Sequence, residues 1–121
     1  MNRGTLGTWG EEIAAEYLEE KGYRIAARNY RGRYGELDLV AVRDAELVFV
    51  EVKLRKSAAY GAAREFVTVS KQQKLRRTAL GFLAAHPWAQ EMTARFDVIE
   101  IYAPEGAEGP VSLTQLEDAF Q

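Results

Sequence analysis

Two stretches of alternating apolar residues meet at an Asp-Ala pair, and together they leave the chain little choice of fold. Leu37 to Arg43 and Glu46 to Arg55 each alternate with period two, the pattern of strands. Asp44-Ala45 between them is the turn. A symmetric turn there sets Leu37 opposite Val52, Leu39 opposite Val50 and Ala41 opposite Val48, an entirely apolar face. On the other face Val42 meets Leu47 and Val40 meets Phe49. Next along, Asp38 meets Glu51 and Glu36 meets Lys53. A turn displaced by one residue would mix polar and apolar positions on one strand, so the pattern sets the register. The hairpin is therefore buried on both sides for most of its length, and one face becomes charged at one end.

The flanking segments supply what buries it. Thr8 to Lys21 reads as a helix, with Thr8 and Glu11 at capping-box spacing. Ile13, Ala14, Tyr17 and Leu18 form its apolar stripe, and Gly22 ends it. Tyr23 to Tyr30 is arginine-rich and suits a strand near a sheet edge. Lys56 to Arg64 is a small, polar loop. Ser70 then caps a helix from Lys71 to Ala85, with Leu75, Ala79, Phe82 and Leu83 facing inward and Pro87 barring its continuation. Arg95 to Ala103 is a further strand, and Pro104 to Pro110 a turn-rich loop. The closing "VSLTQLEDAF" docks Leu113, Leu116 and Phe120 as a short strand or helical turn. The order α-β-β-β-α-β, a meander followed by a helical crossover, predicts an α/β fold with a mixed sheet flanked by helices. A chain of 121 residues is enough for one core, hence a single domain over 1–121.

Composition narrows the setting. Apolar residues at 47% and charged residues at 28% suit a folded, soluble chain. With no cysteine there is neither a disulfide nor a thiolate zinc site. No apolar run is long enough for a membrane span or a secretion signal. A cytoplasmic protein without a membrane partner is expected. The net charge of −2 carries no general nucleic-acid signal. The basic residues nevertheless gather. Arg24, Arg28, Arg31 and Arg33 have no acid among them, and Lys71, Lys74, Arg76 and Arg77 open the second helix. Such patches bind phosphates whatever the total charge; they also match two ordinary solvated surfaces.

The charged end of the hairpin is the strongest chemical signal. Directly opposed residues have Cβ atoms about 4.5–5.5 Å apart, where the carboxylates of Asp38 and Glu51 repel. A divalent cation is one compensation, since Mg²⁺ (or Mn²⁺) suits one or two carboxylates plus waters and phosphate oxygens. Lys53, on the same face two residues past Glu51, would stand beside it. There it can orient or deprotonate a water, or stabilise charge building on a phosphate. The plainer alternative is a polar strand end where Lys53 neutralises Glu36 and Glu51. Arg33 and Arg55 lie beyond this end as phosphate contacts. Trp9, Tyr30, Tyr34 and Tyr60 either stack on unpaired bases or pack. His86 suits a helix C-terminus. Asp97 either approaches the site or pairs with Arg95. Glu12 and Glu16 face solvent.

Asp38, then Glu51-Val52-Lys53, resembles the D…E-x-K core of the PD-(D/E)xK nuclease superfamily. More closely, "GEEIAAEYLEEKGY", "RNYRGRYGELDLVA", "VFVEVKLR", "RFDV" and "LEDAF" resemble the YraN family (uncharacterised protein family 0102), itself similar to archaeal Holliday-junction resolvases. The resemblance covers nearly the whole chain. Gly35-Glu36 matches the turn before the aspartate, and Leu37 stands where other branches carry proline. It implies a restriction-endonuclease-like αβββαβ core. Asp38 and Glu51 would bind Mg²⁺, Lys53 would be the catalytic lysine, and Glu11 the first-helix glutamate near the metal. Lys71 and Gln72 match the start of the second helix, near substrate in this fold; with Arg31, Arg33, Arg55 and Lys74 they would form the nucleic-acid face. The function so implied is a metal-dependent endonuclease acting on DNA, in branched or structured form. A homodimer would follow, because two cuts need two sites. The alternatives are a non-catalytic nucleic-acid-binding adaptor with a nuclease-like fold, and a protein-interaction domain.

Overall fold

The computed structural model describes residues 6–56 and 67–120. Asp44 turns the hairpin with a left-handed backbone, φ 54°, which aspartate tolerates better than most residues. Strands β2 (Glu36–Arg43) and β3 (Glu46–Arg55) then pair antiparallel in the expected register, Val42 with Leu47, Ala41 with Val48, Val40 with Phe49 and Leu39 with Val50.

Around them stand α1 (Leu6–Glu20), β1 (Arg24–Arg31), α2 (Val69–Ala85), β4 (Thr93–Tyr102) and β5 (Ser112–Phe120). The five strands lie in the order β1-β2-β3-β4-β5. β1 runs antiparallel to β2, and β5 antiparallel to β4. β4 runs parallel to β3, with Glu46 opposite Thr93 and Arg55 opposite Tyr102, which requires the crossover that α2 provides. The fold is α/β, a mixed sheet flanked by two helices. The closing segment is a strand throughout rather than a helical turn.

The alternation within β2 and β3 feeds two cores. Leu39, Ala41, Val48 and Val50 pack with Ala14, Ala15 and Leu18 of α1. Val40, Leu47 and Phe49 pack with Leu75, Ala79 and Phe82 of α2. Leu37 departs from its expected face: it joins the α2-side core rather than lining the α1 side with Leu39. The regular β2–β3 pairs end at Leu39–Val50, while Leu37 stays paired with Tyr30 of β1, which packs against the same α2-side core and follows the left-handed Asn29.

Both helix starts differ from expectation. Thr8 lies inside α1, so it does not cap it. Val69 and Ser70 are already helical, and Thr68 is the cap of α2, accepting the Lys71 N–H at 3.2 Å. Gly22 does end α1. Its φ of 94° lets Tyr23 N–H reach the Leu18 carbonyl and Gly22 N–H the Glu19 carbonyl, both at 3.0 Å, the glycine-terminated helix end. Most of the expected loop over 56–64, Tyr60 included, lies outside the described residues. Among the described residues no helix is long and apolar enough to cross a membrane.

Candidate functional site

Where the β2–β3 ladder ends, a side chain takes over. Asp38 Oδ2 accepts the Val52 N–H at 2.8 Å. Glu51, only 8% exposed, stands within hydrogen-bonding reach of Asp38. Burial, and next the facing Glu51 carboxylate, push the Asp38 carboxyl up to about 8; the Val52 N–H opposes this, and the charge of Glu11 adds to it. On its other side Glu51 Oε2 forms an ion pair with Lys71 Nζ, delivered by the first turn of α2. Lys53 follows on β3, half-buried and in register with Glu100 of β4. Glu36 lies opposite Arg31 of β1.

Glu11 reaches this region from α1. Its Oε1 accepts a hydrogen bond from Asn29 Nδ2 at 2.8 Å. Asn29 sits in β1 with φ 50°, a left-handed backbone that asparagine tolerates better than most residues. Among the described residues no three carboxylate or imidazole groups converge closely enough to cage an ion by themselves. Asp38 and Glu51 instead offer two hard oxygen donors in a desolvated position, where a cation would relieve their repulsion. That donor set fits an ion which keeps waters and takes phosphate oxygens, as Mg²⁺ does.

Residues 10–101 match Uncharacterised protein family UPF0102. A UPF0102 protein of Syntrophomonas wolfei is 48% identical over 107 residues, 88% of this chain and 90% of that protein. The chain belongs to UPF0102. A second UPF0102 protein, from Caldicellulosiruptor bescii, is 38% identical over 120 residues, 99% of this chain and 100% of its own length. One from Acinetobacter baumannii (strain AYE) is 49% identical over 94 residues, covering 78% of this chain and 71% of its own.

The remaining residues singled out by sequence divide into three groups in this UPF0102 chain. Arg31, Arg33 and Lys74 are exposed. Arg55 and Gln72 are engaged internally, Arg55 with Glu100 and Gln72 Nε2 with the Val67 carbonyl at 3.0 Å. Tyr30 packs edge-on against Phe82, and His86 ends α2 with its ring stacked on Phe82. Glu12 and Glu16 face solvent as expected. Of the two readings of Asp97, pairing is the one found. Fully buried, it holds Arg95 Nε at 2.9 Å, Gln115 Nε2 at 2.8 Å and the Asp118 N–H at 2.9 Å. Asn29 and the Lys71–Glu51 pair escaped sequence reasoning.

Proposed function

We propose that this UPF0102 chain is a metal-dependent endonuclease that hydrolyses phosphodiester bonds in DNA, branched or structured DNA being the substrate class. One observation supports the reading: Asp38 and Glu51 face each other at the desolvated end of a buried hairpin, with Lys71 paired to Glu51 and Lys53 two residues further along β3. The D…E-x-K pattern they form resembles that of PD-(D/E)xK nucleases. Asp38 and Glu51 would hold Mg²⁺ (or Mn²⁺), which when bound polarises the scissile phosphate and lowers the pKa of a bound water. The Lys53 ammonium supports the attacking water or the charge developing on phosphate. Lys71 leaves Glu51 for the DNA backbone, and exposed Arg31, Arg33 and Lys74 hold the flanking phosphates. Glu11, tied to Asn29, acts from outside the carboxylate pair by setting the charge that Asp38 feels. Two such sites in a homodimer would make the paired cuts that a four-way junction needs.

The test is calorimetric titration of Mn²⁺ into wild type and a folded Asp38→Ala variant, followed by incubation with a labelled four-way junction and a linear duplex of equal length. The reading expects metal binding lost in the variant, and junction cleavage dependent on Asp38, Glu51 and Lys53. Metal-independent DNA binding without cleavage at saturating Mn²⁺ would refute it in favour of an adaptor. The adaptor draws on the Lys71–Glu51 pair, which leaves Glu51 neutralised without any ion.

A further inference from the structure

Tyr34 stands 47% exposed in the turn between β1 and β2. The Arg77 guanidinium lies 5.2 Å from its ring centroid and that of Arg33 6.0 Å, within the range of cation–π attraction. The turn that carries the ring is braced. Gly32 N–H donates to the Gly35 carbonyl at 2.8 Å. The same turn is pressed onto α2: a Cβ at Gly32 would meet Thr78 Cγ2 at 3.2 Å, and one at Gly35 would meet Lys74 Cβ at 3.9 Å. Thr78 is itself fastened, its hydroxyl donating to the Lys74 carbonyl at 2.8 Å. The backbone on each side of Tyr34 is thus set by a helix and two strands, while about half of its side chain is left exposed beside the two guanidiniums. Trp88 is equally exposed at 47%, but its ring is anchored edge-on to Phe82 and His86.

Tyr34 also lies near Asp38 along the chain. Tyr34 precedes Asp38 by four residues, and extended chain advances at most about 3.6 Å per residue. Their Cα atoms are therefore no more than about 14 Å apart, roughly four base steps at ~3.4 Å each. Arg31, Arg33, Lys74 and Arg77 are all exposed around it. An open aromatic face rimmed by guanidinium and ammonium groups is the composition that grips single strands, because every base offers a π-face and every nucleotide a phosphate.

We infer that Tyr34, flanked by Arg33 and Arg77, is a stacking residue for an unpaired base close to the scissile bond, which makes DNA with single-stranded character beside a duplex the preferred ligand. This rests on the nucleic-acid part of the function proposed above. Stacking on an unpaired base is available at a fork, flap or open junction and absent from a closed duplex. The guanidiniums over the ring would exchange it for the base and take the adjoining phosphates.

The test measures binding in EDTA, so that it does not depend on metal or on cleavage. Fluorescence anisotropy compares a blunt duplex with the same duplex carrying an unpaired tail, for wild type, Tyr34→Ala and Tyr34→Phe, with folding checked by circular dichroism. Wild type should bind the tailed duplex more tightly. Tyr34→Ala should lose about tenfold on the tailed duplex, bringing the two affinities together, and Tyr34→Phe should retain the preference. 2-Aminopurine in the tail should change its fluorescence on binding to wild type and to Tyr34→Phe but not to Tyr34→Ala. Equal weakening of both duplexes by Tyr34→Ala, no weakening of either, or no preference in wild type overturns the stacking role and leaves the Asp38–Glu51 reading untouched. Wild type that binds neither DNA overturns the stacking role too, and the Asp38–Glu51 reading then stands or falls on the Mn²⁺ and junction test.

Discussion

Asp38 Oδ2 accepts the Val52 N–H at 2.8 Å, immediately past the last regular pair of the β2–β3 ladder, Leu39–Val50. A carboxylate thus does what a backbone carbonyl does elsewhere in the sheet, and it is pinned where it is desolvated and faces Glu51. The neutral form is favoured by the surroundings, the charged form by a single N–H.

This arrangement makes stability fall as pH rises. The folded chain retains the Asp38 proton up to about 8, whereas the unfolded chain releases it near the ordinary value of 3.8. Between those limits the folded state binds more protons, so each step up in pH costs stability. Below them both states are protonated, and above them the penalty is complete. The melting temperature of wild type should drop from about pH 5 to about pH 8, with Asp38→Asn flatter and higher than wild type at the alkaline end. Parallel wild-type and variant profiles would contradict the raised Asp38 pKa.

A cation at Asp38 has to displace that proton. Titration of Mn²⁺ in buffers of different ionisation enthalpy should report about one proton released per ion near pH 7 and about none near pH 9. Apparent affinity should climb as much as about tenfold per pH unit below 8, then level off. Binding that is indifferent to pH over this range would place the ion away from Asp38.

Lys71 holds Glu51, the carboxylate that a metal would need. Lys71→Met should lower the melting temperature, because it strands a buried carboxylate, and Mn²⁺ should restore it. Metal affinity should rise several-fold. Binding to DNA should weaken, with the slope of log K against log salt reduced in size by about one. A variant with unchanged metal affinity would show that the ammonium and the ion do not share Glu51.

Asp97 gives the opposite signature. It is fully buried and collects Arg95, Gln115 and the Asp118 N–H, and Arg95 in turn bonds the Tyr23 hydroxyl at 2.9 Å. Asp97→Ala should cost about 3–5 kcal/mol in urea unfolding, the usual result of leaving half a buried pair behind. Where the variant is still folded, Mn²⁺ affinity should equal that of wild type, since the bonds of this knot tie β5 to β4 and to Tyr23.

The register of the hairpin was legible because both its faces are buried, so only one alignment of Val40, Ala41, Val48 and Phe49 buries them all. The same alignment brought Asp38 and Glu51 together at one end. Leu37 was not legible, because there β2 has left β3 and stays paired only with β1, next to the left-handed Asn29, and a period-two pattern carries no sign of that. The cap of α2 was misplaced by two residues because Thr68 and Ser70 offer the same hydroxyl, and only Val69's helical backbone decides between them. Lys71 meeting Glu51 required the placement of a helix across a sheet, which no local pattern encodes. Asn29 did carry a signal: an asparagine within a strand is poorly suited to extended backbone and tolerates the left-handed turn that brings its amide to Glu11.

The strand order β1-β2-β3-β4-β5 also bears on how the site comes into being. Every strand neighbours its successor in the chain, and all pairs but β3–β4 close by short connections, so contact order is low for most of the sheet. The two carboxylates belong to the most local of these pairs, the hairpin about Asp44-Ala45, while Lys71 arrives on the helix that bridges the slow parallel closure. The two carboxylates can therefore assemble before Lys71 reaches them, and during that interval their repulsion is opposed from within the hairpin by Lys53, and otherwise by a retained proton or a cation from solution.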